Sequence, residues 1–560
     1  MKGQSVADSK SSGVVHDAEH YILEVQHREQ WAQEDEKIDS QLEALRAKHG
    51  TAPNIIHIMW DDTAFGDIGI PALAAIRGFE TPNLDRMRDE GIMFTRLYSE
   101  AACTPSRAAA ITGRHPIRTG MSIVDWPLGF GGLSGDEVTT AEVLSNEGYA
   151  TAFYSKWHLG DIEESWPHFH GFDEALFLPY NQVSSVWNPM GDIANIAPGS
   201  AHMRKDNVNE LDEHGLRPDG MIMCIDGKKD EYSREWGDPD IETYGKVDAE
   251  SEKRLMEFVD RNAADEKPFF ISYWPNALGF IPTQEPKSTL NAGGLAEALK
   301  RLDGFIGELM DKLVELGIAE NTLLVCMADN GPMIHNPPSL LGMVDTIFRG
   351  GKGDFLEGGV RVPGFAWWPG TIKPGQFVND MIHEVDLYTT FARIGGGTEH
   401  IPTDRVVDGV DQTSLLLNGD GHSRRDYVFI YAGEQLGATV KGRYKRHWVT
   451  EEADTGTAAA FYDLIVDPRE SMPQLVPLIW TSGQFDRMLA RHLLWKEKYP
   501  DHEKARGVPF TGVENARPET KAIGDTLEQM REELPFDPLE FINFTLPPEF
   551  KSTMRTDGVD

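Results

Sequence analysis

Two short runs of unbroken apolar residues, far apart in the chain, each stop on an acidic cluster, and this pairing limits the possible folds more than any other feature. Asn54-Ile-Ile-His-Ile-Met-Trp60 ends at Asp61-Asp62, and Thr322-Leu-Leu-Val-Cys-Met-Ala328 ends at Asp329-Asn330-Gly331. Runs of this length without polar alternation read as strands buried on both faces, the pattern of a parallel sheet covered by helices. Parallel strands need long crossovers, and helical stretches at 136–147, 249–262 and 295–316 supply them. Phe269-Phe-Ile-Ser-Tyr273 reads as a further buried strand. Ligands of open α/β sheets gather at the carboxyl ends of the strands, so two strands ending in acid predict one site.

The flanks differ in character. From Asp17 to His49 the chain is polar and free of Pro, as in one or two surface helices, with a sparse stripe of Leu23, Val25, Trp31, Ile38, Leu42 and Leu45. That stripe predicts packing on the main domain, or on a second subunit in a homo-oligomer. Beyond Gly421, short strands at 427–431, 438–440, 446–449 and 461–466 alternate with turn signals, as in a small antiparallel sheet. The Pro- and acid-rich tail after Pro509 reads as an extended wrap. The expected organisation is an N-terminal helical extension (1–50), a catalytic domain (51–420) and a C-terminal subdomain with its tail (421–560).

A net charge of −37 opposes nucleic acid and anionic membranes, which are bound through clustered Lys and Arg. An anionic substrate therefore has to be met by local cations. Three cysteines, Cys103, Cys224 and Cys326, are too few for a disulfide framework in 560 residues. Neither a secretory signal's apolar core nor a run of about 18 apolar residues is visible, so the expectation is a cytoplasmic protein outside the membrane.

The segment richest in chemistry is Cys103-Thr-Pro-Ser-Arg107, continued by Ala108-Ala-Ala-Ile-Thr-Gly-Arg114. Pro105 suits the first turn of a helix and the alanines extend it, which places Cys103 at a helix N-terminus, where free amides favour an anion. Arg107, one turn on, can point at the same group. A lone Cys is more often a small buried hydrophobe. Asp61, Asp62, Asp329 and Asn330 offer three carboxylates and an amide oxygen, a hard donor set suited to Ca²⁺ or Mg²⁺; separately, each pair is a common cap or turn.

C-x-P-x-R followed by T-G-R resembles the signature of type I sulfatases of the alkaline phosphatase superfamily. The resemblance runs from Asn54 to about Glu470 in five ordered segments, including Ser155-Lys-Trp-His-Leu-Gly160 and Arg349-Gly-Gly-Lys352 through Pro363. Ile111 stands where the family more often has Leu, and Ser155 replaces a Gly. The resemblance implies an alkaline-phosphatase-like α/β fold: a large, mixed, mostly parallel sheet between helices, with a smaller C-terminal antiparallel sheet. It implies a sulfuric ester hydrolase of arylsulfatase type, acting on a small-molecule or saccharide sulfate ester. It further implies Cα-formylglycine made from Cys103 by a maturation enzyme, a Ca²⁺ or Mg²⁺ held by Asp61, Asp62, Asp329 and Asn330, and sulfate-binding cations Lys156 and Lys352. Arg107 would add positive charge, and His158 would take a proton from a formylglycine hydroxyl. Lys156 and His158 are expected on one face of a strand-like run.

One family residue is missing. A His that protonates the leaving oxygen usually follows the P-F-F strand, and Gly279 stands near that place. His335, a substrate-binding candidate, and His170 are possible substitutes, although each reads first as structural. Two alternatives remain: a phosphoester or phosphonate hydrolase, against which Asn330 argues because such enzymes tend to place His there, and a catalytically silent homologue that binds sulfated ligands.

Overall fold

The computed structural model describes residues 13–125, 131–180, 224–237, 241–276, 293–333, 347–449 and 460–507, with a few positions between 512 and 535. The strands in chain order are β1 (Asn54–Trp60), β2 (Ile92–Tyr98), β3 (Gly131–Gly132), β4 (Ala150–Lys156), β5 (Glu174–Leu178) and β6 (Ile225–Lys228). They continue with β7 (Tyr232–Glu235), β8 (Phe269–Trp274), β9 (Thr322–Ala328), β10 (Arg361–Trp367), β11 (Gln376–Val378) and β12 (Ile382–His383). Last come β13 (Tyr427–Ala432), β14 (Gln435–Lys441), β15 (Tyr444–His447), β16 (Phe461–Asp463) and β17 (Ala505–Arg506).

The large sheet runs β11-β2-β10-β9-β1-β8-β4-β5-β6-β7, with β12 also beside β2. Its centre, β9-β1-β8-β4-β5, is parallel, and β10 is antiparallel to both neighbours. This is the mixed, mostly parallel sheet that the family resemblance implies, with the parallel strands read from the apolar runs at its centre. Every residue of β1, β4, β8, β9 and β10 is buried, because helices cover both faces. β1 and β9 pair in register from Asn54↔Thr322 to Trp60↔Ala328, and the Asp329 amide bonds the Trp60 carbonyl at 2.8 Å. The two acidic clusters therefore emerge side by side at one sheet edge.

The crossover helices are shifted from the expected bounds: Thr140–Asn146, Ile241–Ala264 and Gly293–Glu315. The first starts late because Thr139 and Glu142 form a capping box that fixes its N-terminus. The N-terminal stretch is one helix, Ala18–His49, started by Asp17 accepting from the Glu19 amide and ended by Gly50 at φ 78°. Most of its stripe is covered by its own chain, but Val25 is exposed. Leu23 and Trp31 cluster with Phe429, Tyr431 and Met488, and Ile38 and Leu42 enter the main core.

β13-β14-β15-β16 form the small antiparallel sheet. Its third strand lies at Tyr444–His447, earlier than expected, because Gly442 at φ 57° closes a tight turn directly after β14. A helix at Leu475–Lys498 was not anticipated. Of the tail after Pro509, only scattered positions are among the described residues. No described helix is long and apolar enough to cross a membrane.

Candidate active site

Cys103 opens the helix Cys103–Thr112, which follows β2 and is buried along its whole length. The thiol is 1% exposed and lies at the acidic sheet edge, with Sγ 3.5 Å from Asp61 Oδ1 and 3.8 Å from Asp62 Oδ1. Asp62 adopts φ 46°, a left-handed conformation that costs a non-glycine residue about 1 kcal/mol or more and turns consecutive carboxylates toward one point. Asp329 Oδ1 accepts from the Asp62 amide at 3.1 Å, and Asn330 Nδ2 donates to Asp62 Oδ1 at 2.7 Å.

Three cations close the cluster. Lys156, the last residue of β4, places Nζ 2.7 and 2.8 Å from the two Asp61 oxygens. Lys352 Nζ stands 2.6 Å from Asp62 Oδ1 and 2.6 Å from Cys103 Sγ. Its loop is tied down by Lys352 N to Pro332 O at 2.8 Å and Gly353 N to Ala101 O at 2.7 Å. Arg107 is wholly buried and directs Nη2 at Asp61 (3.1 Å) and Asp329 (2.8 Å), and Nη1 at the Lys156 carbonyl (2.9 Å). Sequence alone aims Arg107 at a bound anion; the fold places it behind the carboxylates and orients them.

Burial opposes ionisation of Asp61, but Lys156, Arg107 and Lys352 outweigh it and hold the carboxyl well below its usual range. Burial and the neighbouring Asp61 charge push Asp329 up instead, since adjacent carboxylates resist joint ionisation. Burial, then Asp329 and Asp61, push the Cys103 thiol up.

The donor set fits a hard divalent cation on a specific observation. Asn330 Oδ1 is buried without a hydrogen-bond partner among the described residues, while its Nδ2 is used by Asp62 and the Gly331 carbonyl. An amide oxygen left over beside Asp61, Asp62 and Asp329 is the fourth ligand such an ion takes.

His158 does not continue the strand. β4 ends at Lys156, and Ser155 at φ 78° and His158 at φ 59° turn the chain, so the expected strand-like alternation is replaced by a strained turn. His158 Nε2 lies 2.8 Å from the Asp125 carbonyl, which can only accept, so Nε2 carries the proton and Nδ1 is the basic nitrogen. Burial and Lys156 hold this imidazole well below its ordinary pKa. Thr104, beside the nucleophile position, donates to the His158 carbonyl and accepts from the Asp125 amide, both at 3.0 Å. Asp125 and Thr104 carry no sequence signal that separates them from ordinary loop and helix residues.

His170 is not brought to the cluster: it packs near Trp157 and lies 3.8 Å from Glu142. His335 and Gly279 lie outside the described residues.

A mixed, mostly parallel sheet between helices, with a small antiparallel sheet beside it and a buried thiol next to a carboxylate cluster at the sheet's carboxyl edge, is the alkaline-phosphatase-like sulfatase fold. The chain belongs to the sulfatase family, whose model matches residues 53–397, and it is a sulfuric ester hydrolase. N-acetylgalactosamine-6-sulfatase of Mus musculus is 30% identical over 448 residues, 75% of this chain and 77% of the relative. Arylsulfatase A of Homo sapiens is 34% identical over 432 residues, 74% of this chain and 77% of the relative. The crystal structure of the PsFucS1 sulfatase from Pseudoalteromonas sp. aligns with a TM-score of 0.73 at 31% identity, covering 84% of this chain and 96% of that one.

Proposed function

We propose that the chain hydrolyses an aryl or sugar sulfate monoester with formylglycine, made from Cys103 by a maturation enzyme, as nucleophile beside Ca²⁺ or Mg²⁺. The observation carrying this reading is the convergence of Cys103 with Lys352 at 2.6 Å and Asp61 at 3.5 Å, next to the leftover oxygen of Asn330. The substrate class is supported by the relatives named for N-acetylgalactosamine 6-sulfate and for aryl sulfates.

Asp61, Asp62, Asp329 and Asn330 would hold the cation, which when bound supplies positive charge at the sulfuryl group. Hydrated formylglycine would supply two hydroxyls on one carbon: one for attack on sulfur with loss of the alcohol, and one whose loss of a proton would restore the aldehyde and release sulfate. Lys156 and Lys352 bind sulfuryl oxygens and stabilise the charge that grows on them, the larger share of the rate gain in such transfers. Arg107 keeps Asp61 and Asp329 in place from behind. His158, neutral and basic at Nδ1, accepts the proton of the second hydroxyl.

Mass spectrometry of the peptide containing Cys103 tests the reading. The active enzyme should carry an aldehyde about 18 Da lighter than the thiol, because product release requires the second hydroxyl. Fully active enzyme carrying only thiol would refute it.

A further inference from the structure

We propose that Lys504, from the C-terminal segment, is a positioning residue for sulfate ester hydrolysis that acts through Asp125 to keep His158 in its proton-accepting tautomer. This deepens the reading of His158 given above and rests on it.

His158 Nε2 meets the backbone oxygen of Asp125, which can only accept and so sets the tautomer. Asp125 is held through its amide, its carbonyl and its carboxylate. Its amide donates to Thr104 Oγ1 at 3.0 Å, its carbonyl meets His158 Nε2 at 2.8 Å, and its carboxylate meets Lys504 Nζ at 2.5 Å. Since Thr104 also donates to the His158 carbonyl, Thr104, Asp125 and His158 form one closed ring of hydrogen bonds next to Cys103. Lys504 is the tie to that ring from outside.

The ring needs the tie for an electrostatic reason. Asp125 and Asp161 are both buried, and the Asp161 carboxyl is pushed up to about 7 by burial and then by Asp125. Tyr180 donates to Asp161 Oδ2 at 2.5 Å, and Oδ1 has no hydrogen-bond partner among the described residues. The Lys504 ammonium is the charge that offsets this pair of carboxylates; without it they repel, and the Asp125 loop is the part free to yield.

The segment that carries Lys504 is itself built into the catalytic domain. The His502 amide bonds the Arg118 carbonyl at 2.8 Å, and β17 pairs with β3. Gly120, at φ 72°, has no room for a Cβ against the Lys504 backbone nitrogen, and Gly131 has none against the Ala505 carbonyl. On its other side β3 bridges Gly160, two residues beyond His158, and the Leu133 amide bonds the Leu159 carbonyl at 2.8 Å. The C-terminal segment, β3 and the His158 turn thus stack as three layers. Lys504 lies beyond the family-matched residues 53–397.

The test is steady-state kinetics on an activated aryl sulfate, using the full-length mature enzyme and its Lys504→Met, Lys504→Arg and His158→Asn variants. Lys504→Met should lower kcat about 10–100-fold with KM little changed, as outer supporting residues do, and Lys504→Arg should restore most of the loss. His158→Asn should lose on the order of 10²–10⁴-fold. Should Lys504→Met fail to fold, the Lys504→Met/Asp125→Asn double variant removes the repulsion, keeps the carbonyl, and should fold with a loss in kcat smaller than about 10-fold; a loss of about 10-fold or more in it overturns the electrostatic role of Lys504. Unchanged kcat in Lys504→Met, or a change confined to KM, overturns the role of Lys504. Unchanged kcat in His158→Asn overturns the proton-acceptor reading beneath it.

Discussion

Lys445→Met is the substitution that most directly probes how the small C-terminal sheet supports the active site. Lys445 lies on β15 and is completely buried, with Nζ 3.1 Å from Glu357 and 2.9 Å from Glu470, both themselves at 0% exposure. Glu357 opens the short turn Glu357–Val360 that returns from the Lys352 loop, its amide bonds Glu470 Oε2 at 2.7 Å, and the Gly358 amide bonds the Arg349 carbonyl at 2.8 Å. Removing the ammonium leaves two buried carboxylates facing each other, and stranding a buried charge typically costs about 3–5 kcal/mol. Glu470→Gln leaves Lys445 balanced by Glu357 and keeps an acceptor, so its cost should be nearer 1–2 kcal/mol, the scale of one imperfect buried hydrogen bond. Burial works against the Glu470 carboxylate, but Lys445 and His447 outweigh it and depress its pKa from the usual 4.5. Its stabilising contribution is therefore complete above that value and is lost as pH falls through the depressed one. The assay is urea unfolding followed by activity and by far-UV circular dichroism. Lys445→Met should lose activity at lower urea than Glu470→Gln, and before the large sheet melts. Lys445→Met matching or exceeding the resistance of Glu470→Gln would refute the argument.

Asp329→Ala should remain folded while losing bound divalent cation and nearly all turnover, read by elemental analysis beside circular dichroism; full activity in chelator would contradict the cation site. His57, on β1, lies edge-on to Trp274, and its Nε2 has no hydrogen-bond partner among the described residues. Burial, then Arg107, lowers its pKa from 6.5 to about 3, so only the unfolded chain takes up this proton between those values, and stability falls as pH drops across that window. His57→Phe should flatten the acid limb of a melting-temperature profile, and an unchanged limb would show that His57 takes up its proton alike in both states.

The parts of the fold set by local pattern were legible. The runs at 54–60 and 322–328 match β1 and β9 residue for residue, because nothing polar interrupts them and the acid that ends them is abrupt. The helix 475–498 was not anticipated; Pro477 sits in its first turn, where proline is tolerated. Lys156 and His158 were placed on one strand face, since a left-handed Ser155 or His158 leaves no mark in composition. Cys103, Lys352 and the acidic cluster do meet. Arg107 shows the limit most clearly: spacing along a helix gives its direction only to within a face, and that face looks onto carboxylates. Lys504 was invisible because its partner, Asp125, lies at a sequence separation of 379 residues.

The strand order also sets a timetable. β1 is flanked by β9 and β8, both made far later on the ribosome, and the pocket around Cys103 is completed by Asp329 at the end of β9. At translation rates of about 5–20 residues per second, the roughly 200 positions between the cysteine and that strand take about 10–40 s to synthesise. During that interval the nascent segment 103–114 has no finished sheet edge to bury it, whereas the completed protein exposes the thiol by only 1%. Any enzyme that oxidises Cys103 therefore has its opportunity defined by chain elongation, and slowing the synthesis of residues 104–329 lengthens it.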